Sequence, residues 1–173
     1  MSKYTWLLDP GHGGIIEGVY QTAGKRSPHF PDGSVLYEGE FNRDIVSRIM
    51  KLTSGWAPGR HRTHYRLHAI DTINLVDTEE DMPLRARVKK ANDIHREKGN
   101  CIYVSVHANA FGNGREFNSA KGICSFHHYR SKNGKRLSEV LQRWLGDLTL
   151  FRNRGVLSND RWANFYVLRK THM

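Results

Sequence analysis

The run Leu7-Leu8-Asp9-Pro10-Gly11-His12-Gly13-Gly14 constrains this chain more than any other segment. An apolar strand, Tyr4 to Leu8, stops at a turn built from Asp, Pro and three glycines, and that turn carries one histidine. Glycine lets the backbone turn sharply and lets a ligand come close. A histidine just beyond a strand end is therefore placed to face a pocket. Two other residues offer to join it. Glu38 opens an amphipathic stretch, and His107 follows a second apolar strand in Val104-Ser105-Val106-His107-Ala108-Asn109-Ala110. Two histidines, one glutamate and a water make a known ligand set for catalytic zinc. Each residue also has a plainer reading. His12 could simply be exposed or hydrogen-bonded. Glu38 could favour a helix N-terminus electrostatically, with Glu40 as its competitor. His107 could be a satisfied core histidine.

Strand and helix patterns alternate along the chain. Residues 15 to 37 are rich in Gly, Pro and polar groups and predict a long loop, a length that usually signals function. Phe41, Ile45, Ile49 and Leu52 recur at helical spacing, and Gly55 to Gly59 ends that helix. Arg62 to Leu67 predicts a strand and residues 71 to 83 a loop. Leu84, Val88, Ala91 and Ile94 mark a second helix, stopped at Lys98-Gly99. Cys101 to Val106 is a nearly continuous apolar run, as in a buried parallel strand. A Gly/Asn-rich loop over 111 to 120 precedes a strand over Gly122–Tyr129. Leu137, Leu141, Trp144 and Leu148 mark a third helix, and Asn164 to Arg169 predicts a last strand. The order predicts one α/β domain over residues 1–173, with a mostly parallel twisted sheet flanked by helices. Ligands of such sheets bind beyond the carboxyl ends of the strands. His12 and His107 each follow a strand, so the topology lets them converge with Glu38.

Composition narrows the partners. With 27 Lys+Arg against 17 Asp+Glu the formal net charge is +10, which suits an anionic partner: nucleic acid, acidic lipid or wall polymer. No nucleic-acid motif accompanies the charge, so no nucleic-acid partner is expected. No stretch reaches the length of a transmembrane segment. The N-terminus lacks the charged-then-apolar pattern of a signal peptide. Cys101 and Cys124 sit in apolar stretches and read as buried free thiols. His127 and His128 fall in a strand and point to opposite faces, so they cannot share one metal from there. His61, His64 and His68 read as structural or surface residues.

LLDPGHGG, YEGEFNRDIV, LRARVKKAND and YVSVHANA resemble, in this order, the zinc-dependent N-acetylmuramoyl-L-alanine amidases of the amidase-3 type. Those enzymes cut the amide between muramic acid and the peptidoglycan stem peptide. The resemblance implies Zn2+ held by His12, Glu38 and His107, with Glu38 preferred to Glu40 because it aligns with the family's glutamate. It implies roles for Asn109, which could orient His107 or contact substrate, and for Arg85, which matches the family's arginine. For Arg85 a structural pairing with an acid is favoured over a substrate carboxylate. The implied chemistry is attack of an activated water on the lactyl amide, with zinc stabilising the oxyanion. It implies action on the bacterial wall, as an autolysin or as an endolysin held in the cytoplasm until release.

The family's general base is a second glutamate just after a strand near the C-terminus. In this sequence Asn164–Thr171 is followed only by His172 and Met173. The reading therefore expects the catalytic glutamate, and the family's last strand and helix, beyond Met173. Glu116 and Glu139 are poor substitutes. Poor or no hydrolysis by residues 1–173, activity in a version extended past Met173, and self-association through the uncovered edge are expected on this view. The competing expectation is a non-catalytic zinc-containing wall-binding domain. A zinc carboxypeptidase acting on the stem peptide shares the ligand types but not the motifs.

Overall fold

Strand β1 (Thr5–Pro10) is the centre of a three-stranded parallel sheet, between β4 (Asp71–Asn74) and β5 (Cys101–Val106). The computed structural model describes residues 3–54, 70–109, 114–158 and 164–173. The strand expected over Arg62–Leu67, the helix stop at Gly55–Gly59, and His61, His64 and His68 lie outside the described residues. Leu7 aligns with Ile73 on one side and Tyr103 on the other. The backbone ladder runs past the strand end, with Gly11 N–H donating to the Val106 carbonyl at 3.0 Å.

Side chains alternate across β1. Leu7 joins a core of Leu75, Val76, Ala91 and Cys101, beneath helix α2 (Leu84–Lys98). Asp9 points the same way and meets Arg87 of α2 at 2.5 Å, both side chains being 2% exposed. Leu8 faces the other side, where helix α1 (Glu38–Thr53) buries Val46. Parallel strands flanked by helices are thus the architecture the alternation predicts. The chain divides into two compact units, Met1–Phe117 with Thr171–Met173, and Asn118–Lys170.

Within the first unit, the long segment before α1 is more ordered than a bare loop. It carries a small antiparallel hairpin, β2 (Ile15–Ile16) with β3 (Val19–Tyr20). It also supplies the caps that α1 lacks from its own side chains. Glu38 N–H donates to the Lys25 carbonyl at 2.9 Å, and Gly39 N–H to the Tyr20 hydroxyl at 2.9 Å. Those are two of the four N–H groups every helix start leaves unpaired.

The second unit pairs β6 (Ile123–His127) with β7 (Asn153–Ser158) in parallel, joined by helix α3 (Lys132–Leu148). The Ser131 side chain caps α3 by accepting from Gly134 N–H at 2.9 Å. Buried Gln142 ties the helix to both strands, donating to the Ile123 carbonyl at 2.9 Å and to Asn153 Oδ1 at 2.7 Å.

Several expectations change. The span 71–83 is not all loop, because Asp71–Asn74 pairs with β1. Its polar ends, Asp71 and Asn74, hide a short strand from a periodicity test. Asn153–Ser158, which carries no strand pattern, forms β7. Asn164–Arg169 is not a strand, since Tyr166–Lys170 forms a short helix, α4. A brief apolar run does not distinguish the two by pattern alone. Phe41 and Leu52 of α1 are exposed, and the buried face is Gly39, Asn42 and Val46. Trp144 and Leu148 of α3 are likewise exposed, while Ser138 and Gln142 are buried. In both helices polar side chains that bond to neighbouring backbone take the inner face.

Arg87, not Arg85, is the buried arginine of α2; Arg85 is exposed. Removing one partner of a buried ion pair costs about 3–5 kcal/mol. Arg87→Met should lose stability on that scale in urea denaturation, whereas Arg85→Met should stay within about 0.5 kcal/mol of the parent, as exposed sites do.

Candidate metal centre

The turn after β1 is held by its carbonyls. Arg87 donates to the Pro10 carbonyl at 2.6 Å and the His12 carbonyl at 3.2 Å. Arg43 of α1 donates to the same His12 carbonyl at 2.8 Å. Asn42, fully buried, donates to the Gly11 carbonyl at 3.1 Å. These contacts explain how His12 sits at φ 69°, in the left-handed region. A non-glycine residue there costs about 1–3 kcal/mol unless its surroundings hold it.

Asp9 anchors this arrangement from below. Besides Arg87 it accepts hydrogen bonds from the Tyr103 hydroxyl and from Ser105 Oγ, the latter at 3.0 Å. Burial, then the Asp9 charge, pushes the Tyr103 hydroxyl far above its ordinary pKa, so it remains a donor.

The turn, the start of α1 and the end of β5 bring three expected residues together. His12 Nε2 lies 3.3 Å from Glu38 Oε1, and His107 Nδ1 lies 3.0 Å from the same oxygen. The rings of His12 and His107 meet edge to face, with centroids 5.0 Å apart. One ligand atom from each residue lies within 4.8 Å of the others. Among the described residues this is the one such group of three or more. Ala108 N–H also donates to Glu38 Oε1 at 3.1 Å. Burial alone would raise the Glu38 carboxyl, but hydrogen bonds from His107 and His12 outweigh it and hold the pKa at about 2. Glu38 is therefore an anion at neutral pH.

Donor chemistry and spacing fit a divalent metal. In a tetrahedral site with bonds of about 2.0–2.2 Å, neighbouring donors sit roughly 3.3–3.6 Å apart. The two carboxylate–imidazole separations, 3.3 and 3.0 Å, fall near that range, and the two imidazole donors lie within 4.8 Å of each other. Two imidazoles and one carboxylate suit zinc over calcium or magnesium, which prefer oxygen ligands.

Two glycines make the convergence sterically feasible. A Cβ at Gly11 would collide with the His107 ring, and one at Gly39 with the Gly13 carbonyl. The first lets the His107 ring lie against the turn. The second lets the N-terminus of α1 press against it.

Other expected residues are placed differently. Glu40 is exposed and outside the cluster, and so are Asn109 and Arg85. Exposed Glu139 pairs with Lys135, and Glu116 is exposed. His127 is buried with Nδ1 2.9 Å from the His128 carbonyl, a structural contact. Both cysteines are free. No described helix is long and apolar enough to cross a membrane. Sequence reasoning missed Arg43, Asn42 and Arg87. A signal existed for Arg87, which lies three residues after Leu84 and one before Val88, within the apolar stripe of α2. A charge at such a position needs a buried acid, and Asp9 is the acid beside it.

A collision between a Cβ and a backbone carbonyl cannot be relieved by rotating a side chain. Gly39→Ala should therefore destabilise by about 1–3 kcal/mol, the usual range for overpacking. Thermal or urea unfolding measures it, and a neutral result would mean α1 does not press on the turn.

Comparison with known proteins follows the same lines. The family profile described as N-acetylmuramoyl-L-alanine amidase, of the amidase-3 type, matches residues 7–173. The structure is similar to an N-acetylmuramoyl-L-alanine amidase from Clostridium difficile 630, with TM-score 0.68 and 24% identity over 98% of this chain and 75% of that one. It is similar to amidase AmiC2 of Nostoc punctiforme, with TM-score 0.68 and 24% identity over 99% and 76% of the two chains. The catalytic domain of CwlV, an amidase from Bacillus (Paenibacillus) polymyxa var. colistinus, gives TM-score 0.63 and 20% identity over 98% and 75%. At these identities the structural likeness speaks for the fold. No curated protein sequence matches.

Proposed function

The chain belongs to the N-acetylmuramoyl-L-alanine amidase family, and from that membership we propose that it hydrolyses the amide between N-acetylmuramic acid and L-alanine of peptidoglycan, with one zinc held by His12, Glu38 and His107. The observation that carries this reading is the convergence of those three side chains at the carboxyl edge of a parallel sheet. When bound, zinc would supply Lewis acidity, lowering the pKa of water and polarising the scissile carbonyl.

The chain's own residues do the rest of the preparation. Glu38 brings a carboxylate ionised at neutral pH, which offsets part of the metal's charge. Arg87 and Arg43 fix the backbone of His12. His107 is exposed, so the centre is reachable by a polymer too large to enter a closed cavity. Asn109, exposed two residues beyond His107, is a candidate hydrogen-bonding contact for the bound glycopeptide. The excess of 27 basic over 17 acidic side chains draws the protein to an anionic wall.

Protein stripped with chelator and reloaded should hold one zinc per chain by elemental analysis. His12→Ala and His107→Ala should lose that zinc. Glu40→Ala should keep it, and loss there would move the carboxylate ligand from Glu38 to Glu40. The bond cut, rather than the rate, tests the reaction. Digested sacculi should gain new N-terminal L-alanine only with zinc-loaded protein. Cleavage in the glycan or within the stem peptide would contradict it.

Attraction to sacculi should fall as salt rises, because surface charge is screened over about 8 Å at physiological ionic strength. Cosedimentation that ignores salt would replace this electrostatic account with a specific desolvated contact.

A further inference from the structure

Arg43 makes more contacts than a helix-surface arginine needs. Its guanidinium donates to the His12 carbonyl at 2.8 Å, the Gly39 carbonyl at 3.3 Å and the Thr78 carbonyl at 2.8 Å. It also pairs with Glu79 at 3.1 Å. The Arg43 side chain is largely buried, whereas that of Glu79 is half exposed. Solvent screens the ion pair, so the three carbonyls account for the placement. Those carbonyls belong to the turn carrying His12, to the residue after Glu38, and to the segment leading into α2. A planar guanidinium with five donors can bridge them, and an ammonium cannot.

We infer that Arg43 is a positioning residue that fixes His12 relative to Glu38. It ties the left-handed backbone of His12 to the first turn of α1, one helical turn from the carboxylate. The inference deepens the metal-centre reading above and rests on it for the nature of the bound ion. The arrangement of the two side chains can be tested without metal. Arg87 shares the His12 carbonyl but is also bound to Asp9, so its loss would unfold the core and blur the effect. The anion paired with Arg43, Glu79, is half exposed rather than buried in the core, so Arg43 isolates the positioning role.

The experiment compares the parent protein with Arg43→Met, Arg43→Lys and, as a remote control, Arg48→Ala, whose partner Asp44 is exposed. Zinc affinity is measured by competition with a chromophoric chelator. The imidazole nitrogen signals of His12 are followed by NMR in metal-free protein, and unfolding is followed thermally. Contacts supporting metal ligands typically contribute about 10–100-fold in affinity. Arg43→Met should weaken zinc by that factor and shift or broaden the His12 signals in metal-free protein. Arg43→Lys, able to reach one carbonyl, should fall between Arg43→Met and the parent, and it serves if Arg43→Met fails to fold. Arg48→Ala should match the parent. A merely structural arginine would lower the unfolding temperature while leaving the folded protein's zinc affinity within about twofold and the His12 signals unchanged. That result would overturn the inference. If the parent binds no zinc, the metal-centre reading fails, and the His12 signals alone decide the role of Arg43.

Discussion

The contact between Asp9 and Arg87 is the interaction on which the site depends. An aspartate at the end of a central strand is desolvated by the helix covering it, a cost of several kcal/mol unless a cation and hydrogen bonds replace water. Arg87, Tyr103 and Ser105 supply them. The same guanidinium then spends its remaining donors on the Met82, Pro10 and His12 carbonyls and on the Asp81 carboxylate. One buried cation thus joins the strand, the following turn and α2. The turn cannot relax into a lower-energy backbone without breaking bonds to a charge that has nowhere else to go.

From that anchor the geometry of the centre follows. Parallel strands place the residues after β1 and β5 on one edge, and Gly11 allows the His107 ring to lie against the turn. The start of α1 is drawn to the same edge by Asn42 and Arg43, which bond the carbonyls of Gly11 and His12. The hairpin segment contributes through Tyr20 and Lys25, which cap the N–H groups of Gly39 and Glu38. Glu38 is held buried and ionised by contacts drawn from three separate stretches of chain.

Much of this is legible in the sequence because its strongest signals are short and local. The glycine-rich exit from β1, the apolar run of β5 and the glutamate opening α1 each announce a strand end or helix start, which is where sheet topology gathers ligands. What is not legible depends on partners distant in sequence. Arg87 and Arg85 look equivalent until Asp9 is beside one of them. Phe41 and Leu52 carry the hydrophobic period of α1, yet the buried face follows Asn42, whose amide finds a carbonyl across the fold. Gln142 and Ser138 do the same in α3. Strands β4 and β7 are polar at their ends, β4 being only four residues long, and they exist because a neighbouring strand offers a ladder. Asn164–Arg169 shows the converse: its apolar centre, Phe165–Leu168, reads as strand but closes a helical turn, with Arg169 N–H reaching the Phe165 carbonyl.

The central claim is that His12, Glu38 and His107 ligate a single zinc. X-ray absorption at the zinc edge of the loaded protein tests it directly. The account predicts a shell of nitrogen and oxygen donors at about 2.0–2.2 Å, with the outer-shell scattering of two imidazoles and no sulfur. A sulfur contribution near about 2.3 Å, or a shell lacking imidazole scattering, would contradict it.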